Sequence, residues 1–424
     1  MSNILIVSGS YFPYASANAI CMKEFERAMT ARGDKVVYAI RKHDIDTPEI
    51  TYSGDIKIYH VERTIDMFFF TAEKLKSLRL PLMIRALTGI SLGVIKVCSH
   101  LYAKIRYGSL RKYAEELYLK QYAETIAHII ESENIDTVIS VSMPFLSHKA
   151  VLRCKKRYPD IRIKWIAYMI DAYSQKFGNS DPNKIIEEKE VIESADRTIM
   201  LSVLRSSYDI DIFREQRTKI SYLPLPLLNF NHYDGENRIK MEKKKIDFVF
   251  AGMLYDDTSK LDYFVKFVKA IDSPDYRFHF MGKYYSRNTQ LLQQLKENVR
   301  SEITIYGVKP FDFAENSVAA ADVVLNFGNL SVNQIPSKIY RSIVKRKPIL
   351  TFYKIDEDPS LPMLKKYPLA CNIKESESIK ESDMERFRKF VRNLKQTDVT
   401  ESQLRALYKD DISEVVCEQF LKYI

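Results

Sequence analysis

Residues 333–350 read NQIPSKIYRSIVKRKPIL. Pro336 stands directly before a run with helical spacing, and Ser337 falls in its first turn. Backbone N–H groups are free there, and the aligned peptide dipoles present positive charge. Ser337 adds a hydroxyl and Lys338 an ammonium, so the stretch has the physical make-up of a diphosphate site. The same pattern also fits a capped surface helix with a solvated lysine. Lys260 closes a loop, 252–260, and opens a helix just past a strand end, where a lysine acts as a point charge beside a leaving phosphate or stays solvated. In the loop 11–18 the short residues Ala15, Ser16, Ala17 and Asn18 precede a helix. Asp171 follows an apolar strand and can bind a hydroxyl, accept its proton, or cap a turn.

Positioning these groups falls to two similar series of elements. Residues 3–8 (NILIVS) are a continuous apolar run, as in a strand buried on both faces. A helix over 19–32 closed by Gly33 and a strand over 36–40 complete a βαβ unit, hence a parallel sheet. Strands follow at 56–61, 136–141, 163–170, 197–201 and 219–223, with helices at 122–133, 148–157 and 181–195. The pattern predicts a first domain over 1–223 with a basic helical insertion at about 64–120, and a polar linker over 224–245. A second domain spans 246–400, and a helical tail 401–424. In the second domain, strands at 246–251, 277–281, 303–306 and 322–327 end directly in Gly252, Gly282, Gly307 and Gly328. Ligands of open α/β sheets sit past the carboxyl ends of strands, where glycine allows close backbone approach. Each glycine taken singly also suits an ordinary turn; four together favour a ligand. The fold class is thus α/β, with two doubly wound parallel-sheet domains facing across a cleft.

Lysine and arginine number 65 against 55 acids, a net charge of +10 that suits an anionic partner. Residues 73–120 hold ten of the basic residues against three acids. Mixed there with Leu, Ile and Val, and preceded by MFFF at 67–70, they suggest peripheral contact with a membrane surface through 67–120, or an inter-helix core with a wet basic face. No nucleic-acid pattern emerges. Five scattered cysteines and an opening strand without a basic leader fit a cytoplasmic protein, peripheral at most on the inner face of the membrane. Seven histidines lack HxxH spacing, so no metal is expected, and the two DID triplets read as solvated loops. GxGxxG, GxxxxGK[ST] and GxSxG are absent, against NAD or FAD cofactors, P-loop kinases and α/β-hydrolases.

The stretch 333–350 resembles the C-terminal signature of GT-B glycosyltransferases of the retaining, family 4-like kind. The similarity continues through AGMLYDDTSKL, FMGKY, ITIYGV and AAADVVL in the second half, and through residues 11–40, ISVSMPF and WIAYMIDAY in the first. The resemblance implies that Lys260 and Lys338 serve catalysis, and Asp171, from its place at a strand's carboxyl edge, is the third catalytic candidate. It implies donor binding by Ser16, Asn18, Gly252, Gly282, Gly307, Val308, Asn333, Ser337 and Arg341, with Gly307 and Val308 beside the nucleobase. A nucleotide-diphosphate sugar would be substrate, no cofactor would be needed, and the acceptor would be a saccharide, lipid-linked, in polysaccharide biosynthesis. The sequence departs from the family at four places. The paired-glycine loop is 15–18, an arginine after Gly252 is Met253, two glutamates eight residues apart are Asn333 and Arg341, and the glycine of GKP is Arg346. Two other readings use the same residues: a sugar-nucleotide epimerase with Asp171 and His148 as acid and base, and a catalytically inactive binding subunit.

Overall fold

The computed structural model describes residues 1–12, 17–43, 46–62, 110–175, 181–230, 235, 237–242, 244–256, 259–328 and 330–424. The first lobe contains β1 (Asn3–Ser8), α1 (Ala17–Ala31), β2 (Lys35–Arg41), β3 (Ile50–Ser53), β4 (Ile56–Val61), α2 (Leu110–Ser132), β5 (Thr137–Val141), α3 (Leu146–Arg157), β6 (Lys164–Met169), α4 (Pro182–Ser194), β7 (Arg197–Leu201) and β8 (Ile220–Leu223). The second contains β9 (Ile246–Ala251), α5 (Asp262–Ala270), β10 (Tyr276–Met281), α6 (Ser286–Glu297), β11 (Glu302–Gly307), α7 (Phe311–Ala320), β12 (Val323–Phe327), α8 (Lys338–Val344), β13 (Ile349–Tyr353), α9 (Leu361–Lys366), β14 (Ala370–Lys374), α10 (Glu381–Arg392), α11 (Glu401–Leu407) and α12 (Ser413–Leu421).

The first sheet has the order β3-β4-β2-β1-β5-β6-β7-β8, parallel except for the antiparallel β3–β4 pair. The second is parallel throughout, with the order β11-β10-β9-β12-β13-β14. Each sheet therefore reverses direction once, between β1 and β5 and between β9 and β12. Neighbouring loops leave in opposite directions at these points and open a crevice. The central strands are apolar along their length because helices cover both faces: Ile4–Val7 and Phe248–Phe250 are fully buried.

The larger apolar core joins the lobes. It contains Phe25 and Tyr168 of the first lobe, Ile339, Tyr340 and Ile343 of α8, and Phe420 of α12. Phe420 stacks on Phe25 with ring centroids 4.0 Å apart, so the chain's last helix returns to α1. The tail expected as one helix over 401–424 is two, since α11 and α12 are separated by a turn carrying Lys409 and Asp410. A Thr400–Gln403 capping box starts α11. The segment 224–245, expected as a polar linker, begins with buried Leu225, Leu227, Leu228 and Phe230. The helix expected over 122–133 begins earlier, at Leu110, and runs through the boundary drawn at 120; most of the basic insertion, 63–109, lies outside the described residues. Among the described residues no helix is long and apolar enough to cross a membrane.

Candidate active site

At the carboxyl edge of the second sheet the glycines knit three strands together. Gly282 N donates to Gly307 O at 2.8 Å, and Gly252 N donates to Met281 O at 2.9 Å. Gly282 has φ +136°, and a Cβ placed on it would fall 1.8 Å from Gly252 O. No side chain fits, so glycine is required for this contact. Over this edge reaches Lys338. Its Nζ lies 3.9 Å from the centroid of the Phe250 ring and 3.6 Å from where a Cβ on Gly252 would stand. The ring face attracts the ammonium, yet no carboxylate pairs with it among the described residues. The residue is half-buried, but its ammonium lies among protein atoms; burial first, and then the charge of Arg341, push it down to about 7.

Arg341, one turn further along α8, is held by Glu315 of α7. Arg341 Nη1 lies 2.5 Å from Glu315 Oε1, and Lys345 Nζ lies 2.7 Å from Oε2. Burial works to raise the Glu315 carboxyl, but Arg341 and Lys345 outweigh it and hold it below the usual range. The guanidinium also covers the Phe311 ring at 5.3 Å, and Phe311 meets Phe12 of the first lobe edge-on at 5.9 Å. Three cations stand here beside one carboxylate, which pairs with two of them, Arg341 and Lys345. That surplus attracts an anion such as a diphosphate.

The structure thus brings Gly252, Gly282, Gly307, Lys338 and Arg341 to one edge. Lys260 closes the same loop as Gly252, exposed and without an ion pair among the described residues. Val308 is 75% exposed beside Gly307. Ser337 caps α8 without a side-chain hydrogen bond, and α8 has only seven residues, so its dipole adds less than the ammonium does. Two expected donor contacts are otherwise engaged. Asn333 is buried between the lobes, where Nδ2 donates to Gln175 O at 2.9 Å and Oδ1 accepts from Ser207 Oγ at 2.6 Å. Asn18 Nδ2 donates to Ser142 O at 2.8 Å and to Met143 O at 3.2 Å, joining the start of α1 to the loop that leaves β5. Gly9 is drawn into the same junction, since a Cβ there would lie 2.3 Å from Pro144 Cδ. Ser16 lies outside the described residues.

Asp171, half-buried, follows β6 by two residues. Buried Glu188 of α4 anchors the turn after it, accepting from Tyr208 OH at 2.6 Å, from Ser174 N at 3.3 Å and from the Ser174 hydroxyl. Burial raises the Glu188 carboxyl, which suits a group held by neutral donors. His148 cannot partner Asp171 in acid–base work. It is fully buried, its Nδ1 lies 2.7 Å from Ser140 Oγ, and burial lowers it to about 3.

Sequence reasoning missed Glu315, Phe250, Phe311 and Glu188. Glu315 lies 26 residues from Arg341, and no periodicity links them. Phe250 looked like an ordinary core strand residue.

Two parallel-sheet α/β lobes facing each other at their carboxyl edges define the GT-B fold. No protein-family model matches the chain, and no curated protein matches it in sequence. Solved structures match over its whole length. Sucrose-phosphate synthase from Thermosynechococcus elongatus gives a TM-score of 0.64 at 12% identity, covering 100% of this chain and 98% of that one. TarM gives 0.62 at 9% identity, with 100% and 98% covered. Anabaena HepE, solved with UDP and glucose, gives 0.58 at 8% identity, with 100% and 99% covered. These structural neighbours are GT-B glycosyltransferases, and at such identities the likeness is one of fold.

Proposed function

We propose that the chain is a glycosyltransferase that moves a sugar from a nucleotide-diphosphate sugar to a hydroxyl of a saccharide acceptor. The observation that carries this reading is the Lys338 ammonium. It has no carboxylate partner among the described residues, lies over the glycine-ended strands, and stands at the point where the second sheet reverses. A diphosphate there would supply the anion that Lys338 lacks, and Lys260 would add a second point charge as the bond to the anomeric carbon breaks. The acceptor oxygen bonds to that carbon, and its proton passes to the departing phosphate oxygen, so the donor's own diphosphate serves as base. The resemblance implies retention of configuration, with side-chain cations supplying the charge stabilisation and no metal required. Asp171 would orient the acceptor hydroxyl. Closure of the lobes would exclude water and limit donor hydrolysis. The basic stretch 73–120 supports a lipid-linked acceptor in polysaccharide biosynthesis at the cytoplasmic face of a membrane.

A second reading, an inactive binding subunit, is favoured by the engagement of Asn333 and Arg341 with protein partners. Calorimetry with UDP, GDP and their sugars, followed by turnover assays, separates the two. Nucleotide binding that weakens in Lys338→Ala, with sugar transfer, supports the enzyme. Binding without transfer supports the subunit, and no nucleotide affinity at all defeats the pocket assignment.

A further inference from the structure

The chain passes between the lobes twice, forward along 224–230 after β8 and back along 408–412 before α12. The two passages run side by side. Leu228 and Ile412 form a parallel bridge, and Ser413 N donates to Leu228 O at 3.0 Å. These passages are the covalent links between the lobes, so any hinging bends the chain here. Beside them lies a cavity of about 610 Å³, a size suited to a small molecule. Leu225 lines it from the forward passage, and Tyr408 and Asp411 from the return. The segment after β7 adds Ser206 from the first lobe, and α8 and α9 add Tyr340 and Met363 from the second. The cavity is separate from the Lys338 edge. Tyr340 follows Lys338 by two residues, about 200° round α8, so the two side chains leave opposite faces of that helix.

The lining is mostly apolar, and its polar groups are incompletely matched. Tyr340 is 4% exposed, and its hydroxyl makes no hydrogen bond among the described residues. Tyr408 by contrast is satisfied, its hydroxyl donating to Met363 O at 2.9 Å. Asp411 is half-buried and forms no ion pair among the described residues. Burial raises its carboxyl, and Lys366 pulls it the other way without coming into ion-pair range. Glu357 is exposed, also without an ion pair among the described residues. Two unmatched carboxylates therefore line the cavity against one ammonium, that of Lys366. A ligand that satisfies these walls has an apolar body to cover Leu225 and Met363, and a positive group that donates to Asp411 and to the Tyr340 oxygen. An anion would meet the carboxylates, and a hydrocarbon would leave the Tyr340 hydroxyl unmet.

We propose that this hinge cavity binds a small molecule carrying one ammonium group on an apolar body, and that its occupancy tightens nucleotide binding on the other side of α8. The walls come from both lobes and both passages, so the ligand favours the arrangement in which they meet. The Lys338 site is likewise completed from the first lobe, where Phe12 packs edge-on against the Phe311 ring that Arg341 covers. One arrangement of the lobes serves both sites, and each ligand favours the other by the same factor. The coupling rests on the glycosyltransferase reading; the site does not. The test uses the full chain and three probes with one body, phenylbutylamine, phenylbutanol and phenylbutyrate, titrated by ligand-detected NMR. The amine is expected to bind about fivefold tighter than the alcohol, with the butyrate weakest. Asp411→Asn should remove the amine's advantage over the alcohol. Tyr340→Phe should weaken amine and alcohol alike, about threefold. Ser206→Trp, which fills the cavity from an exposed position, should abolish binding of all three. Saturating amine should tighten UDP about threefold in calorimetry, and UDP should tighten the amine equally. An amine that binds no tighter than the butyrate, or that still binds Ser206→Trp, would overturn the site. UDP affinity unmoved by bound amine would overturn the coupling. Wild-type protein that takes the amine but has no affinity for UDP would defeat the coupling and the glycosyltransferase reading together, and leave the site standing.

Discussion

Lys338 gives the sharpest prediction, because its geometry fixes both a magnitude and a sign. The amine sits at about 7 in the free protein, lowered by burial and by Arg341. At pH 8 about a tenth of the molecules then carry the ammonium, and at pH 6 about nine tenths. A nucleotide sugar has a diester diphosphate with no proton of its own in this range. Bound beside Lys338 it favours the charged form, so the amine rises back toward its ordinary value. Binding at pH 8 must therefore take up about 0.9 proton, and at pH 6 about 0.1. Affinity rises as pH falls and levels off below about 7. The gain from pH 8 to pH 6 is about tenfold, or ~1.4 kcal/mol. Titration calorimetry with UDP-glucose in two buffers of different ionisation enthalpy reads the proton count directly. Lys338→Met should abolish the uptake and flatten the profile. Uptake near zero at pH 8 in the wild-type protein, or uptake that persists in Lys338→Met, would refute the placement of the diphosphate.

Other perturbations test the scaffold of the site. Gly282→Ala drives a Cβ to 1.8 Å from Gly252 O at a positive φ, and should cost more than about 3 kcal/mol in denaturant unfolding. Asn333→Ala removes two hydrogen bonds between the lobes and should cost about 1–3 kcal/mol, read as a lowered melting temperature. Glu315→Gln leaves Arg341 and Lys345 without their carboxylate and should cost about 3 kcal/mol by denaturation. Its uncompensated Arg341 also disfavours the Lys338 ammonium further, so the fall in UDP-glucose affinity should move to lower pH. Phe420→Ala opens a cavity against Phe25 and Tyr168, and should cost about 3–5 kcal/mol in the same assay.

The fold was legible because buried parallel strands announce themselves. Continuous apolar runs such as NILIVS and IDFVFA fall within a residue or so of their final bounds. Among the edge and peripheral elements, β8 and β11 were legible and others were not. β3 (ITYS) is short, half-polar and mostly exposed, α6 (SRNTQLLQQLKE) buries few residues, and both were missed. The glycine-ended strands and Lys338 could be read because each sits next to a strand end or a proline that fixes its place. The fates of Asn333 and Asn18 could not, since their partners lie 158 and 124 residues away. A short amide looks the same in sequence whether it meets a ligand or a distant loop.

Position 341 shows how the fold adjusts to residues that depart from the family pattern. The resemblance leads one to expect carboxylates at 333 and 341, where this chain has an amide and a guanidinium. Asn333 is buried in contact with a backbone carbonyl and a hydroxyl. A carboxylate there would face the Gln175 oxygen with no proton to offer it, so the neutral amide suits a closed joint. A guanidinium at 341 repels the Lys338 ammonium, and Glu315 of α7 pairs with that guanidinium. The balance is incomplete: one carboxylate pairs with Arg341 and Lys345 and leaves Lys338 out, so the edge stays positive. Had Glu315 reached Lys338 itself, the ammonium would be held charged and occupied, and an incoming diphosphate would have to displace it. Pairing the carboxylate one helical turn away leaves Lys338 available to the ligand.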